Sequence, residues 1–299
     1  LVRSGRRAAS SSAASLRLLI YGGTLSVAVV GGVSVIDPRV GEAGLGHWLV
    51  NEGVVRQPGI VTAWLAVLGC FFGFVLPRLL GGDVALVDVR KAYHGLAVVL
   101  FTGPTLVDGE WMVLAYAAAM CMFVVAETVR VLRVEVFGVC VGSWLDGVLD
   151  QFIDDRDSGV LVVTHSYLLI GCALPLVVHR TAGAAASDGV EAVVTTLGVV
   201  VLGVADAAAS FVGTRYGSIK WPGSRKSIQG TAAAAVAGSA ACAAVWRAGS
   251  GSWPAANEAL VLIGLNTTVA VYEAASELID NLMLPVVALA ASHCFLGTL

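Results

Sequence analysis

An acidic residue inside an apolar run is the feature of this sequence best suited to chemistry. Asp206 lies in the run 193–213, less than two helical turns before the end of that run. An ionised carboxylate in hydrocarbon is costly unless it is paired, so a residue of this kind is a functional candidate. Ser210, Gly213 and Gly217 follow at i+4, i+7 and i+11, and they would share its helix face if the helix continued that far.

A basic loop follows this acid. Pro222-Gly223 is predicted to break the helix, and residues 224–227 (Ser-Arg-Lys-Ser) then stand just before the next apolar run. Basic and hydroxyl groups at a helix N-terminus favour an anion, because free backbone N–H groups and the helix dipole attract negative charge. The spacing between Gly223 and Lys226 is not that of a P-loop. The loop therefore predicts a phosphate site of another kind.

Other polar positions could join this site. The acidic segment 154–157 could hold Mg²⁺, which takes one or two carboxylates together with phosphate oxygens, and Asp157 is the preferred ligand in it. Asp280 shares a helix face with Glu277. His165 lies in an apolar run, where an ionisable residue has either a function or a polar partner, and both readings stay open.

Arg90 and Lys91 stand at the mouth of another apolar run. They could anchor a membrane helix or contact phosphate, and His94 shares a helix face with Lys91. Glu273 lies near a helix end and is expected only to reach the interface or to pair with an arginine.

Composition predicts that lipid is the solvent of this chain. Of the 299 residues, 57% are hydrophobic and 13% are charged, whereas a soluble domain has about 25% charged residues. The net charge of -3 gives no indication of a nucleic-acid partner. We expect an all-α, polytopic integral membrane protein with about nine transmembrane helices, and residues 130–150 could form an interfacial helix. The predicted spans lie near 16–36, 60–80, 93–107, 111–129, 160–178, 193–213, 230–247, 258–275 and 282–298.

The loop charges predict the orientation of these spans. Nine spans divide the loops into two alternating sets, and one set carries 14 of the 18 lysine and arginine residues. That set should face the cytosol, because basic loops stay on the cytosolic side. All of the polar segments described above fall in the same set, so they could meet one water-soluble substrate.

These segments resemble the polyprenol kinase family, which includes CTP-dependent kinases of dolichol, phytol and diacylglycerol. The resemblance rests on the run from Asp206 to Thr231, on Asp157-Ser158-Gly159 with Thr164-His165, on Arg90-Lys91-x-x-His94, and on Glu277 with Asp280-Asn281-Leu282. It covers most of residues 90–290. We therefore expect a catalytic membrane domain at 90–299, preceded by a truncated transmembrane region at 1–89.

The resemblance implies CTP-dependent phosphorylation of dolichol to dolichyl phosphate at the cytosolic face of the endoplasmic reticulum, in support of protein N-glycosylation. It implies CTP as phosphoryl donor, Mg²⁺ or a similar cation as cofactor, and a polyprenol lipid in the bilayer as acceptor. The implied catalytic residues are Asp206, Asp157 and His165, and the implied Mg²⁺ ligands are Asp206, Asp157 and Asp280. The implied nucleotide-binding residues are Ser210, Gly213, Gly217, Gly223, Ser224, Arg225, Lys226, Ser227, Gly230, Thr231, Arg90 and Lys91.

Two alternatives remain open at this point. The acceptor could be another lipid alcohol, such as phytol or diacylglycerol. The enzyme could instead resemble a phosphatidate cytidylyltransferase, which also uses CTP at a membrane. The family usually has glutamate where this chain has Gln229, so a base or metal ligand at that position is replaced here by an amide suited to a phosphate or backbone hydrogen bond. The base that accepts the alcohol proton stays open between Asp206 and Asp157.

Overall fold

The structure is a computed structural model that describes residues 49–81, 86–133, 135–136, 139–140, 142–143, 164–183, 185–276 and 278–297. Within these ranges, a π-helical turn at Leu49–Val55 precedes eight helices and one short antiparallel pair of strands. The helices are α1 (Pro58–Leu79), α2 (Leu86–Val107), α3 (Gly109–Val131), α4 (Thr164–Ala182), α5 (Asp188–Tyr216), α6 (Ile228–Ser250), α7 (Ala256–Ala275) and α8 (Asp280–Leu296). The hairpin pairs β1 (Glu135–Val136) with β2 (Val139–Cys140).

The expectation of an all-α polytopic membrane protein is confirmed. Eight of the nine predicted spans fall on described helices, and the first, at 16–36, lies outside the described residues. Five of the helices, α1, α3, α5, α6 and α7, are long and apolar enough to cross a membrane. The expected interfacial helix at 130–150 is wrong for residues 135–136 and 139–140, which pair as antiparallel strands instead.

Helix α5 is the most enclosed of these five helices. Of its apolar part, 78% is buried inside the protein, against 11% for α1 and for α3. Between its two α-helical parts, Val201–Ala205 form a π-helical turn directly before Asp206. Because α5 is surrounded by other helices, a charged group on it must find its partner within the protein.

Two glycines let neighbouring helices approach α5 closely. A Cβ atom on Gly198 would lie 2.2 Å from the carbonyl oxygen of Gly171 on α4. A Cβ atom on Gly203 would lie 2.2 Å from Val98 Cγ2 and 3.1 Å from the carbonyl oxygen of His94 on α2. Membrane helices gain little from burying apolar surface against each other, so close backbone packing at small residues holds them together.

The chain divides into two compact units. The first comprises Leu1–Gln57 and Ala117–Ser166. In the described part of this unit, Arg130 and Glu127 form an ion pair, and strands β1 and β2 follow it in the chain. The second comprises Pro58–Tyr116 and Tyr167–Leu299. Every contact of the candidate site described below lies within this second unit. The domain boundary expected at residues 89 and 90 stays a prediction.

Candidate functional site

The π-helical turn in α5 changes which backbone groups are free next to Asp206. The N–H of Asp206 donates to the carbonyl of Val201, five residues earlier, rather than to that of Leu202. The Leu202 carbonyl, which an α-helix would have used for this bond, instead faces His94 Nδ1 on α2 at 2.9 Å. A single π turn of this kind is often found at functional sites. Here it supplies an acceptor that fixes the orientation of a histidine.

The Asp206 carboxylate is buried and paired with two residues of α2. The residue is 7% exposed, Lys91 Nζ donates directly to Oδ2, and His94 Nδ1 lies 3.3 Å from the same oxygen. Lys91 and His94 are three residues apart, so they share one face of α2 and reach the carboxylate together. The prediction that Asp206 needs a partner in the protein is confirmed, and its partners come from a helix more than 100 residues earlier.

The loop between α5 and α6, residues 217–227, is closed by backbone hydrogen bonds into a second hairpin, and the word hairpin refers to this loop from here on. Helix α5 ends at Tyr216, so Gly217 is its C-cap and not a further helical position on the face of Asp206. The N–H of Trp221 donates to the Lys226 carbonyl at 3.0 Å, and the N–H of Ile228 donates to the Ile219 carbonyl at 2.9 Å. Backbone pairing of this kind stops the helix earlier than the proline alone would.

The tip of this hairpin is the tight turn that Pro222-Gly223 predicts. The N–H of Ser224 donates to the Trp221 carbonyl at 3.1 Å, and Gly223 has a φ of 71°. Proline followed by a glycine of positive φ is the signature of a type II turn. The turn leaves the Arg225 side chain exposed at the end of the loop.

Side chains of α6 fasten the hairpin to that helix. Trp221 Nε1 donates to Thr231 Oγ1 at 2.9 Å. Gln229 accepts from the N–H of Ile219 at 3.2 Å and donates to Ser218 Oγ at 2.7 Å. Of the two roles suggested by the sequence, Gln229 therefore has the backbone hydrogen bond. The contacts make the loop an ordered extension of α6.

The N-terminus of α6 is largely satisfied by its own loop. Ser227 is the N-cap, and its Oγ accepts from the N–H of Gly230 at 3.1 Å, while the N–H of Ile228 is already used in the hairpin. Fewer N–H groups are therefore open to an anion than the sequence suggested. Ser227 itself is only 3% exposed, so the helix dipole is what this N-terminus offers to a phosphate group.

Three of the predicted nucleotide-binding glycines lie where α5 crosses α6. A Cβ atom on Gly230 would lie 3.2 Å from the Cα of Gly213 and 2.8 Å from the Ala209 carbonyl. A Cβ atom on Gly217 would lie 2.1 Å from the Gly213 carbonyl and 2.5 Å from Ser227 Oγ. These glycines therefore bring the two helices together. Ser210, one turn after Asp206 and partly exposed, lies on the same helix.

The Lys226 side chain joins the loop to the connection between α7 and α8. Its Nζ donates to the Glu273 carbonyl at 2.6 Å and lies 3.4 Å from Glu273 Oε1 and 3.6 Å from Asp280 Oδ1. Glu273 is 8% exposed and also interacts electrostatically with Asp206 and Asp280. The two ion pairs, Lys91 with Asp206 and Lys226 with Glu273, therefore belong to one cluster of charges.

Other basic groups of the loop face outward. Lys220 and Arg225 are exposed, and Arg215 stacks over the Phe211 ring at 4.0 Å. Ser224 Oγ accepts from the N–H of Lys226 at 3.1 Å. The exposed surface next to the charge cluster is thus basic and hydroxyl-bearing, which suits an incoming polyphosphate.

Sequence reasoning also missed two members of the cluster. His94 was placed in the motif with Arg90 and Lys91 and on the helix face of Lys91, but no role was predicted for it. Glu273 was expected at the interface or beside an arginine, whereas it is buried beside a lysine. Only the tertiary contacts reveal both roles, because the partners are 108 and 47 residues away in the chain.

Some predicted site residues are not tested by this geometry. Asp157 lies outside the described residues, and the same is true of the side chains of His165 and Arg90, whose backbones belong to α4 and α2. No cluster of three or more potential metal ligands occurs among the residues that the structure describes. The Glu273 and Asp280 carboxylates and the Glu273 carbonyl do converge on the Lys226 ammonium group. Oxygen donors of this kind suit Mg²⁺ when phosphate oxygens complete its coordination.

Comparison with known proteins identifies relatives of this chain. It is 34% identical to the dolichol kinase of Bos taurus over 198 residues, which are 66% of this chain and 36% of that protein. It is 33% identical to the dolichol kinase sec59 of Schizosaccharomyces pombe over 199 residues, 61% of this chain and 38% of that protein. With the dolichol kinase of Saccharomyces cerevisiae it shares 28% identity over 242 residues, 80% of this chain and 43% of that protein.

The expected resemblance is thereby confirmed. The chain spans 36 to 43% of the length of these three relatives. No protein-family model matches the chain, and no solved structure does.

Proposed function

We propose that the chain carries the catalytic site of a CTP-dependent dolichol kinase, which transfers a phosphoryl group to dolichol and releases dolichyl phosphate. The similarity to three dolichol kinases over 198 to 242 residues carries this proposal. The charge cluster supports it, because phosphoryl transfer depends mainly on positioning and on neutralising phosphate charge. CTP as donor rests on the resemblance of the segment from Asp206 to Thr231.

The phosphates of the nucleotide would bind along the hairpin loop. Arg225 and Lys226 supply positive charge, and the Ser227 hydroxyl stands at the N-terminus of α6. Arg225 is exposed and ready to meet phosphate, whereas Lys226 would have to exchange a carboxylate partner for it. The Gly230-Thr231 backbone lies one turn further into the helix and completes the predicted set.

A divalent cation would be held next to these phosphates. Asp280 is the predicted ligand whose carboxylate faces the loop, and Glu273 adds a second carboxylate beside it. Mg²⁺ would neutralise phosphate charge during transfer. Asp206 is engaged with Lys91 and His94, whereas the Asp280 side chain is 26% exposed, so Asp280 is the most accessible of these three carboxylates.

The site would open to the cytosol and to the bilayer at once. The loop charges support the cytosolic side, because the segments that form the cluster fall in the set with 14 of the 18 basic residues. In a cell that makes dolichol-linked sugars, this is the cytosolic face of the endoplasmic reticulum membrane. Dolichol would approach laterally between helices while CTP arrives from water.

The proposal is tested by a donor and acceptor panel. The chain, in its full-length protein and in purified membranes, would be supplied with γ-labelled CTP or ATP and with dolichol, phytol or diacylglycerol. We expect label on dolichol from CTP, with CDP released. Label on another alcohol alone would overturn the substrate, and release of pyrophosphate from CTP would favour the cytidylyltransferase alternative.

Two variants test the location of the site. Lys226→Ala removes the cation that joins the loop to Glu273, and we expect nucleotide binding and transfer to be lost. Arg247→Ala is the matched control, because this cation lies at the other end of α6 and stacks over Trp253 at 5.7 Å. Equal loss in both variants would mean that general destabilisation, not the loop, explains the result.

A further inference from the structure

We propose that the Lys226 ammonium and the divalent cation compete for one place, so that binding of the cation releases Lys226 to the nucleotide. This inference deepens the proposed function and rests on it, since it concerns how the same site takes up its ligands. The geometry that carries it is the convergence of three oxygen atoms on one lysine nitrogen. Two of these atoms belong to Glu273 and one belongs to Asp280.

The oxygens around Lys226 come from the end of one helix and the start of the next. Glu273 lies in the last turn of α7, where backbone carbonyls have no partner within the helix. Its carbonyl accepts from the N–H of Ser276 at 3.4 Å and from Lys226 Nζ at 2.6 Å. Asp280 is the first residue of α8, and its carboxylate lies 3.6 Å from the same nitrogen. The negative end of the α7 dipole adds to the attraction of a cation at this place.

The burial of Glu273 explains why a cation must stand here. The residue is 8% exposed, and a buried carboxylate is costly unless a positive charge lies beside it. Lys226 supplies that charge at 3.4 Å. Carboxylate and carbonyl oxygens are also the donors that Mg²⁺ takes, so the ion would use the atoms that hold the lysine. Two cations on the same oxygens would repel each other strongly, so the presence of one excludes the other.

The Lys226 side chain can leave this place while the loop keeps its shape. The Lys226 carbonyl accepts from the N–H of Trp221 at 3.0 Å, and the Lys226 N–H donates to Ser224 Oγ at 3.1 Å. These bonds hold the backbone, whereas the side chain is 31% exposed and has a flexible stem. The released ammonium stays next to Arg225 in the chain, on the loop where the phosphates are proposed to bind.

The exchange couples the two water-soluble ligands of the site. While Glu273 and Asp280 hold Lys226, the ammonium is not available to phosphate, and its oxygen partners are not available to a cation. The apparent affinity of either ligand alone is therefore lowered by the fraction of protein in which Lys226 has left this place. Each ligand should then strengthen the binding of the other, because the linkage is reciprocal.

Two substitutions in the full-length protein separate this exchange from a lysine that only binds phosphate. Lys226→Met keeps a long side chain without the ammonium, and we expect Mn²⁺ alone to bind about tenfold more tightly, measured from the EPR signal of the free ion. Glu273→Gln weakens the hold on the lysine. For this variant we expect weaker binding of Mn²⁺ alone and tighter binding of CTP in the presence of EDTA, measured by equilibrium dialysis.

Lys220→Met is the matched control, because Lys220 is an exposed cation of the same loop. Its Mn²⁺ affinity should equal that of the wild type. Unchanged or absent Mn²⁺ binding in Lys226→Met would overturn the proposal. Equal tightening in Lys220→Met would also overturn it, because the general charge of the loop would then explain the effect.

Lysine acylation, read by mass spectrometry, follows the side chain itself. Wild-type protein in bilayers would be treated with an N-hydroxysuccinimide ester, with and without Mn²⁺ and with no nucleotide. We expect Mn²⁺ to raise the acylation rate at Lys226 and to leave the rate at Lys220 unchanged. Bound Mn²⁺ without a change at Lys226 would overturn the proposal. If the wild type phosphorylates no alcohol, the proposed function fails, whereas the Mn²⁺ affinities and the acylation rates still decide whether a cation displaces Lys226.

Discussion

The pairing of Asp206 with Lys91 makes a quantitative prediction about stability. In Asp206→Asn the shape of the side chain is kept, but the Lys91 ammonium loses its anionic partner. Removing one member of a buried ion pair costs about 3–5 kcal/mol, because the other charge is left unpaired. The Lys91 side chain is 23% exposed and the Asp206 side chain 9%, so the lysine can shift partly toward water. We therefore expect the lower end of the range, about 3 kcal/mol.

The prediction is measured as the free energy of unfolding when the purified protein is titrated from mixed micelles with SDS. Asp188→Asn is the matched control, since this exposed acid lies in the first turn of the same helix. Its loss should cost at most about 1 kcal/mol, through the helix dipole. The double variant Lys91→Met with Asp206→Asn should regain most of the lost stability, because no unpaired charge remains.

Activity should behave differently from stability in these variants. The double variant is expected to fold well and to transfer no phosphate, because Asp206 and Lys91 are both among the implied site residues. If Asp206→Asn is as stable as the Asp188→Asn control, the ion pair does not hold α2 against α5 and the reasoning fails. Recovery of both stability and transfer in the double variant would show that the charge serves folding alone.

Three other substitutions test the parts that support the site. Gly203→Ala should lower the free energy of unfolding by about 1–3 kcal/mol and reduce phosphoryl transfer, because its Cβ atom would clash with α2. Gly95→Ala on α2 is the control, since its Cβ atom meets nothing within 4 Å and should change neither property. SDS titration measures the stability of both variants, and label transfer measures their activity. Trp221→Phe removes the hydrogen bond to Thr231, and faster amide exchange confined to the hairpin loop is expected by mass spectrometry; an unchanged loop would contradict that anchoring role. Gly217→Ala would bring its Cβ atom to 2.1 Å from the carbonyl of Gly213, so the start of the loop would have to move. We therefore expect weaker nucleotide binding, measured by equilibrium dialysis. Unchanged affinity would argue against a rigid loop.

Local features of the sequence were enough to predict the elements around the site. Apolar runs of about 20 residues predicted eight helices that the structure describes, because a helix that crosses hydrocarbon must satisfy its backbone internally. Pro222-Gly223 predicted a turn, since proline fixes one dihedral and glycine permits a positive φ at the next residue. Ser227 stands at the N-cap of α6, where a hydroxyl satisfies a free N–H group. Each of these depends on neighbours within a few residues.

The contacts between elements could not be read in this way. Asp206 could be identified as a charge in need of a partner, but the choice of Lys91 and His94 required α2 to pack against Gly203. Glu273 looked like an ordinary acid at a helix end until the packing of α6, α7 and α8 put Lys226 beside it.

By itself, then, the sequence determined that the protein is helical, lies in a membrane, carries a buried acid and has a basic loop after it, because composition and short-range spacing govern those properties. The tertiary structure decided which groups meet. The π turn at Val201–Ala205 has no sequence signature here, yet it frees the carbonyl that orients His94. A hydrogen bond between residues 108 positions apart exists only after the helices have packed, so only the folded protein could assign it.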